Sequence, residues 1–416
     1  MFNKIVLSLF LVTSSILYAK VNAVVSILPQ QTFVEKIGGD KVHVTTMVKP
    51  GSDPHTYAPK PSQMMALSKA DVYFPIKVEF EKAWLDKFTY HNQTMKISDM
   101  TKGIKFLKLQ TAPYEWAGLF ELEKSEYDWH FSKVTGEYAD PKMKFLMLSV
   151  KGNDDLIYDY KEPAKVLFNK NKIIALEDRA ILDKESTLYE LHFDASKEQT
   201  TFTIDIQKSG KYLFFTEHMP FEFKNKEHYF KNMANSDVKA IITEPKNESA
   251  HHHHGGLDPH TWTAPSNVKI MAKNIYDTLC TLDTKNKNYY HKNYLNFLQE
   301  IEETDKAIKK IFKSLPKNSK FMVFHPSWGY FAKAYGLTQL SIEIEGKEPK
   351  PRMLQRIIKK ARQEGIKAIF TQKEFSDKSA KTIAHALHIK VIKETPLAKD
   401  WSQNLIKKAK AIANNN

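Results

Sequence analysis

The sequence predicts an α/β protein in which two lobes, each built on a parallel sheet, are joined by one long helix, with an all-β, sandwich-like domain inserted into the first of them. Three observations carry this reading. At 416 residues the chain exceeds what one compact core usually fills. Apolar strand-like runs alternate with amphipathic stretches at both ends, whereas the middle turns to short runs rich in aromatic and β-branched residues. From Tyr289 to Leu315, apolar residues recur at helical spacing among many charges, enough for a helix that crosses a whole domain.

In chain order, residues 1–19 read as a signal peptide: Lys4, an apolar stretch from Ile5 to Val12, and Ala19 before the cut. That stretch is too short to span a bilayer, and no later window approaches about 18 apolar residues. With no Cys beside the cleavage point to carry a lipid, the chain is expected to be soluble once exported. Residues 20–104 alternate strand runs (Val21 to Leu28, Val42 to Val48, Ala70 to Phe74) with helical ones (Gln31 to Ile37, Pro61 to Ala70), and with 251–285 they form the expected N-terminal lobe. Residues 105–245 are the β-rich insert, with strands expected near 118–122, 127–134, 143–150, 188–193, 200–207 and 212–216 and a turn at Lys151-Gly152-Asn153-Asp154. A His-rich loop over 246–256 follows, then the linking helix within 286–315 and a C-terminal α/β lobe over 316–416.

Composition limits the chemistry. Sixteen His stand beside the single Cys280, so a zinc site built on several thiolates is excluded and a transition metal must rest on imidazole and carboxylate. Cys280 itself suits a small, buried apolar position in a helix. The net charge of +14 has no Lys-rich or Arg-rich block behind it, so it reads as a solvated surface and not as a nucleic-acid interface.

Three histidines occupy similar places. His55, in Lys49-Pro50-Gly51-Ser52-Asp53-Pro54-His55, lies beyond the carboxyl end of a strand, where open α/β sheets put ligands. His260, in Asp258-Pro259-His260-Thr261-Trp262, sits on the loop before a helix that starts near Ser266. His325 ends the buried run Phe321-Met322-Val323-Phe324, and Pro326 stops the strand there. Any one of these alone reads more readily as a structural residue than as a ligand. Together, three Pro-flanked imidazoles on rigid backbone suit Zn²⁺.

These segments, with Thr56-Tyr57, Ser327-Trp328-Gly329-Tyr330-Phe331, Glu345-Gly346-Lys347-Glu348-Pro349, Ile369-Phe370-Thr371 and Phe375-Ser376, resemble the periplasmic solute-binding receptors of zinc and manganese ABC importers. The resemblance covers about 20–104 and 251–412 in order. It implies a metal held between two lobes by His55, His260 and His325, with delivery to an ABC-transporter membrane permease by a monomer that is not an enzyme. Members that look manganese-specific carry a carboxylate where this chain has His325, so imidazole there points to zinc. The family's usual fourth ligand, an Asp before Pro-Leu, is replaced by Thr395 in Glu394-Thr395-Pro396-Leu397. The fourth position is thus open between water and Glu394, with Asp53 a lesser candidate because it suits capping the turn before His55.

The resemblance implies further that His251, His252, His253 and His254 capture metal at the cleft mouth, the alternative being a passive linker. The insert has no counterpart in the ordinary receptors. Its Glu217 and His218, with Glu222 and His228 nearby, offer an accessory metal site or merely a pair on a sheet rim. Alternative functions are a manganese or iron receptor, a secreted zinc metallohydrolase, which would need a general base that these motifs do not supply, and a metal-dependent adhesin.

Overall fold

The computed structural model describes residues 20–107, 113–133, 136–138, 140–150, 157–169, 172–220, 230–244, 257–343, 348–349 and 351–415. The signal peptide, the turn at 151–154, Glu222, His228, the tetra-His run and the stretch 344–347 lie outside them. The chain forms two compact units, one within 1–107 and 258–416, the other within 108–257.

The first unit begins with β1 (Val21–Val25), α1 (Leu28–Gly38) and β2 (Val42–Thr46), the two strands parallel with Val21 opposite Val42. Then come α2 (Pro61–Leu67), β3 (Val72–Phe74), α3 (Glu79–His91) and β4 (Lys96–Ile97), in a parallel sheet of order β2-β1-β3-β4. Proline in the first turn starts both α1 and α2, where its missing N–H costs nothing. Helix α1 buries Phe33, Val34 and Ile37, one face at helical spacing. Helix α3 adds to the sequence-based expectation; its stripe Phe80, Trp84, Phe88 is diluted by charged neighbours. The turn before α3 is held by buried Glu81, whose carboxylate accepts from the N–H groups of Ile76 and Lys77 and from the Ser26 hydroxyl. Burial pushes that carboxyl up to about 7.

The second unit packs two sheets. One runs β14-β5-β12-β7-β10-β8 and the other β13-β6-β11-β9. The strands are β5 (Trp116–Leu122), β6 (Ser125–Ser132), β7 (Lys142–Ser149), β8 (Ile174–Leu176), β9 (Ile181–Leu182), β10 (Leu188–His192), β11 (Gln199–Ile206), β12 (Gly210–Thr216), β13 (Phe230–Asn232) and β14 (Ile242–Glu244). Between the sheets lies an aromatic core that includes Trp116, Phe120, Trp129, Phe131, Phe145, Phe214 and Phe230. The expectation of an all-β domain is corrected by one helix, α4 (Ile157–Phe168), whose Ile157, Ala164 and Phe168 pack on Ala117, Leu119, Leu146, Leu213 and Phe215. The six-stranded sheet is therefore covered on both faces, which explains why β5, β7 and β12 read as continuous apolar runs and not as alternating ones. Pro163 inside α4 hides its helical pattern.

Back in the first unit, α5 (Pro265–Leu282) leads to α6 (Lys287–Phe312), 26 residues or about 39 Å long, which buries Tyr290, Phe297, Ile301, Thr304 and Ile308. The C-terminal lobe follows: β15 (Lys320–Val323), α7 (Gly329–Ala334), β16 (Thr338–Ser341), α8 (Pro351–Gln363), β17 (Ala368–Thr371), α9 (Lys378–Leu387), β18 (Lys390–Lys393) and α10 (Trp401–Ala413). Its sheet is parallel, in the order β16-β15-β17-β18. Both parallel-sheet lobes and the long helix agree with the sequence-based fold. One hydrophobic core runs through both lobes: Phe33 of α1 meets Phe297 of α6 and Trp401 of α10, each at 5.6 Å between ring centroids. Trp262 Nε1 donates to Pro396 O at 2.9 Å and Trp401 Nε1 to Trp262 O at 2.7 Å, so each indole N–H is satisfied by the other side of the cleft.

Lys408 of α10 is wholly buried, its Nζ 3.4 Å from the Phe370 ring centroid and without a hydrogen-bond partner. Burial holds its amine well below the usual lysine value, against the opposing charge of Glu394. A lysine depressed in this way weakens the fold at every pH below its unfolded value near 10.4. Lys408→Met is therefore expected to stabilise the protein by about 1 kcal/mol at pH 7, with a higher melting temperature in calorimetry and a smaller gain as pH approaches 10.

Candidate metal centre

His55 stands on the loop that leaves β2. That loop continues the sheet through Met47 N–H to Val25 O (2.9 Å) and Val48 N–H to Ser26 O (2.8 Å) before turning through Pro50-Gly51. Asp53 caps the turn, accepting from His55 N–H at 2.9 Å and Thr56 Oγ1 at 3.2 Å. His260 lies on the turn ahead of α5, and its ring is packed 5.3 Å from Trp262. His325 follows β15, whose last hydrogen bond is Phe324 N–H to Phe370 O at 2.8 Å. Phe375 stacks on the His325 ring at 4.5 Å between centroids.

Each of these three histidines offers one ring nitrogen such that all three lie within 4.8 Å of one another, and among the described residues no other group of three His, Cys, Asp or Glu does so. Two nitrogens bound to one zinc at about 2.0–2.1 Å in tetrahedral geometry are about 3.3–3.4 Å apart. His55 Nε2 and His325 Nε2 are 3.3 Å apart.

Two buried carboxylates orient the rings. Asp258 Oδ1 accepts from His260 Nδ1 at 2.7 Å and from His260 N–H at 2.9 Å. Glu343 Oε2 accepts from His325 Nδ1 at 2.9 Å, with Oε1 at 3.2 Å. With the proton on Nδ1, each Nε2 presents its lone pair to the pocket, which is the tautomer that a metal requires. Burial, then the nearby His325 ring, lowers the pKa of His55 below its ordinary value, which favours the uncharged ring that binds a metal. The arrangement is a set of three nitrogen donors walled by Phe375 and Trp262, suited to a borderline divalent cation.

The other sequence candidates are placed elsewhere. Glu394 is buried, but its Oε1 lies 3.7 Å from Lys407 Nζ, and it neither joins the three-His group nor lines the pocket. Thr395, the residue in place of the family's Asp, donates from Oγ1 to Glu374 Oε1 at 3.0 Å. In the second unit, Glu217 is taken by Lys144, at 2.6 Å from its Nζ and 3.2 Å from its N–H, while His218 faces Glu115 and Asp140 at 3.9 Å each. Cys280 is half-buried against the core. Asp258 and Glu343 are the functional residues that sequence reasoning missed. The Asp-x-His spacing carried a signal for Asp258. Glu343, eighteen residues from His325, is brought there only by the pairing of β15 with β16.

The sequence pattern of the family described as zinc-uptake complex component A, periplasmic (ZnuA), matches residues 23–133 and 212–415; what it leaves out, 134–211, lies inside the second unit. Over 171 residues the chain is 30% identical to the metal ABC transporter substrate-binding lipoprotein FimA of Streptococcus parasanguinis, covering 40% of this chain and 53% of that protein. Over 136 residues it is 31% identical to the high-affinity zinc uptake system protein ZnuA of Bacillus subtilis, covering 32% and 42%. The chain thus spans about half the length of the curated relatives it matches. A crystal structure of ZnuA superposes with a TM-score of 0.59 at 28% identity, over 95% of this chain and 99% of that one. AdcAII of Streptococcus pneumoniae superposes at 0.54 and 17% identity, over 96% and 99%, a likeness of fold alone.

Gly329 explains how Asp258 is seated. A Cβ on Gly329 would lie 2.7 Å from Asp258 Oδ2, so only glycine leaves room for that carboxylate. The neighbouring Tyr330 hydroxyl donates to Asp258 O at 2.8 Å and accepts from Leu107 N–H at 2.9 Å. Gly329→Ala is therefore expected to push Asp258 off the His260 ring and to weaken divalent-metal binding about 10- to 100-fold, the usual cost of losing such a partner. Chelator competition measures the loss, and an unchanged circular dichroism spectrum separates it from misfolding.

Proposed function

Because the chain belongs to the ZnuA family of periplasmic zinc-uptake components, we propose that it captures Zn²⁺ between its two lobes with His55, His260 and His325 and hands it to the membrane permease of an ABC importer. The observation that carries this reading is the convergence of three imidazole nitrogens within 4.8 Å, two of them aimed by buried carboxylates. Zinc is favoured over manganese because the group is all nitrogen; a hard cation such as Mn²⁺ prefers carboxylate and water oxygens. Relatives named for manganese, such as PsaA of Streptococcus pneumoniae, keep that metal as the second reading. Capture, not catalysis, fits the site, since Asp258 and Glu343 spend their oxygens on histidine Nδ1 atoms and stand away from the open position. The receptor works in the periplasm, and among its described residues no helix is long and apolar enough to cross a membrane.

Titration calorimetry or chelator competition tests the assignment. His55→Ala, His260→Ala and His325→Ala are each expected to lower zinc affinity at least 100-fold, while the wild type binds Mn²⁺ more weakly than Zn²⁺. Zinc affinity unchanged in His260→Ala would sink the reading.

Protons compete with metal for imidazole. A His55 pKa held below the ordinary value of about 6.5 keeps that ring proton-free at neutral pH, so competition there begins only as pH falls beneath that value. Zinc affinity is expected to fall as pH drops toward about 6.5 and below, measured by competition from about pH 7.5 to 5.5. A flat profile down to about pH 5.5 would contradict a histidine-dominated site.

A further inference from the structure

Three nitrogens leave one position of a tetrahedral zinc open. Asp53 is committed to its own turn, and Asp258 and Glu343 to histidine Nδ1 atoms; Glu374 and Glu394 engage Thr395 and Lys407 through Oε1 only, and neither lines the pocket. Among the described residues that line the pocket, the one carboxylate is Glu79.

Glu79 is the first residue of α3, and its backbone is tied to the histidine loop. Phe80 N–H donates to the carbonyl of Pro54, the residue before His55, at 3.2 Å. The turn ahead of it is rigid: Lys77 adopts φ +67°, held by buried Glu81 through the N–H groups of Ile76 and Lys77. The side chain, by contrast, is only loosely held. It is 47% exposed, and its ion pair is with Lys82, one helical turn away, at 3.1 Å. Such an exposed i,i+3 pair is a weak hold that a divalent cation displaces. The charge of Glu79 already reaches the His55 ring.

We propose that Glu79 is the fourth zinc ligand, held at the rim of the pocket by Lys82 while the site is empty and transferred to the metal on capture. This rests on the three-histidine reading and deepens it. It assigns to α3 of the N-terminal lobe the oxygen ligand that the Thr395 position no longer supplies. The transfer exchanges one ion pair for a metal–carboxylate bond.

The test compares Glu79→Gln, Glu79→Asp, Lys82→Met and the Glu79→Gln/Lys82→Met double variant in the full chain. Zinc affinity is read by chelator competition at low salt and at about 1 M salt, and Co²⁺ serves as a spectroscopic stand-in for zinc. Glu79→Gln is expected to weaken zinc about 10- to 100-fold at both salt concentrations and to shift the Co²⁺ visible bands, with Glu79→Asp intermediate. Lys82→Met is expected to tighten zinc a few-fold, and the double variant to behave like Glu79→Gln. If the Glu79→Gln effect vanishes at high salt with the Co²⁺ bands unmoved, Glu79 is only a rim charge and the proposal fails. Wild-type affinity in Glu79→Gln, together with lost binding in His260→Ala, would overturn the fourth-ligand assignment and leave the three-histidine reading standing. Unchanged binding in both would remove the reading itself.

Discussion

The carboxylate of Asp258 is the point on which the site depends. Its two oxygens divide their work, Oδ1 holding the His260 ring and Oδ2 lying where Gly329 leaves room, while its backbone is pinned by Leu107 and Tyr330. Gly329 and Tyr330 belong to the same segment as His325, and Leu107 closes the N-terminal part of the unit. One buried acid thus couples the orientation of one imidazole to the segment that carries another. A buried carboxylate is costly unless its hydrogen bonds are met, so this geometry resists partial displacement.

The same economy of charge runs through the rest of the site. Carboxylates lie directly behind two of the three rings, so the pocket is prepared for positive charge before any arrives. His55 is half-buried, the least buried of the three. It comes from a loop, not from a strand end, and lacks a carboxylate on its ring, so its neutrality comes from burial and from its neighbour His325. The lobes on either side share one core and exchange indole hydrogen bonds through Trp262 and Trp401. Metal exchange by wholesale separation of the lobes would expose that core.

Much of this was legible in the residues. The parallel lobes announced themselves through buried strand runs followed by proline-started helices, and α6 through a long apolar stripe. His55, His260 and His325 were recognisable because each sits beside proline at the end of a strand or the start of a helix. What was hidden has physical causes. Helix α4 was masked by Pro163 and by a sheet whose both faces are buried. Glu394 looked like a ligand because it neighbours the position where relatives carry Asp, yet the side chain turns toward α10, where Lys407 and Lys408 lie. Glu343 and Glu79 were invisible as members of the site, since neither lies near a histidine in the chain.

The sequence by itself determined the kinds of donor and the rigidity of their settings: imidazoles, not thiolates, set by proline at the edges of regular elements. Local chemistry decides such matters, because turn geometry and strand ends depend on neighbours a few residues away. Only the tertiary structure decided which atoms meet. Residues 270 apart bring two ring nitrogens to 3.3 Å, and a glycine in one lobe makes room for an acid seated against a histidine in the other. Those distances are set by how parallel sheets stack their carboxyl ends across a shared core, and no spacing along the chain encodes them.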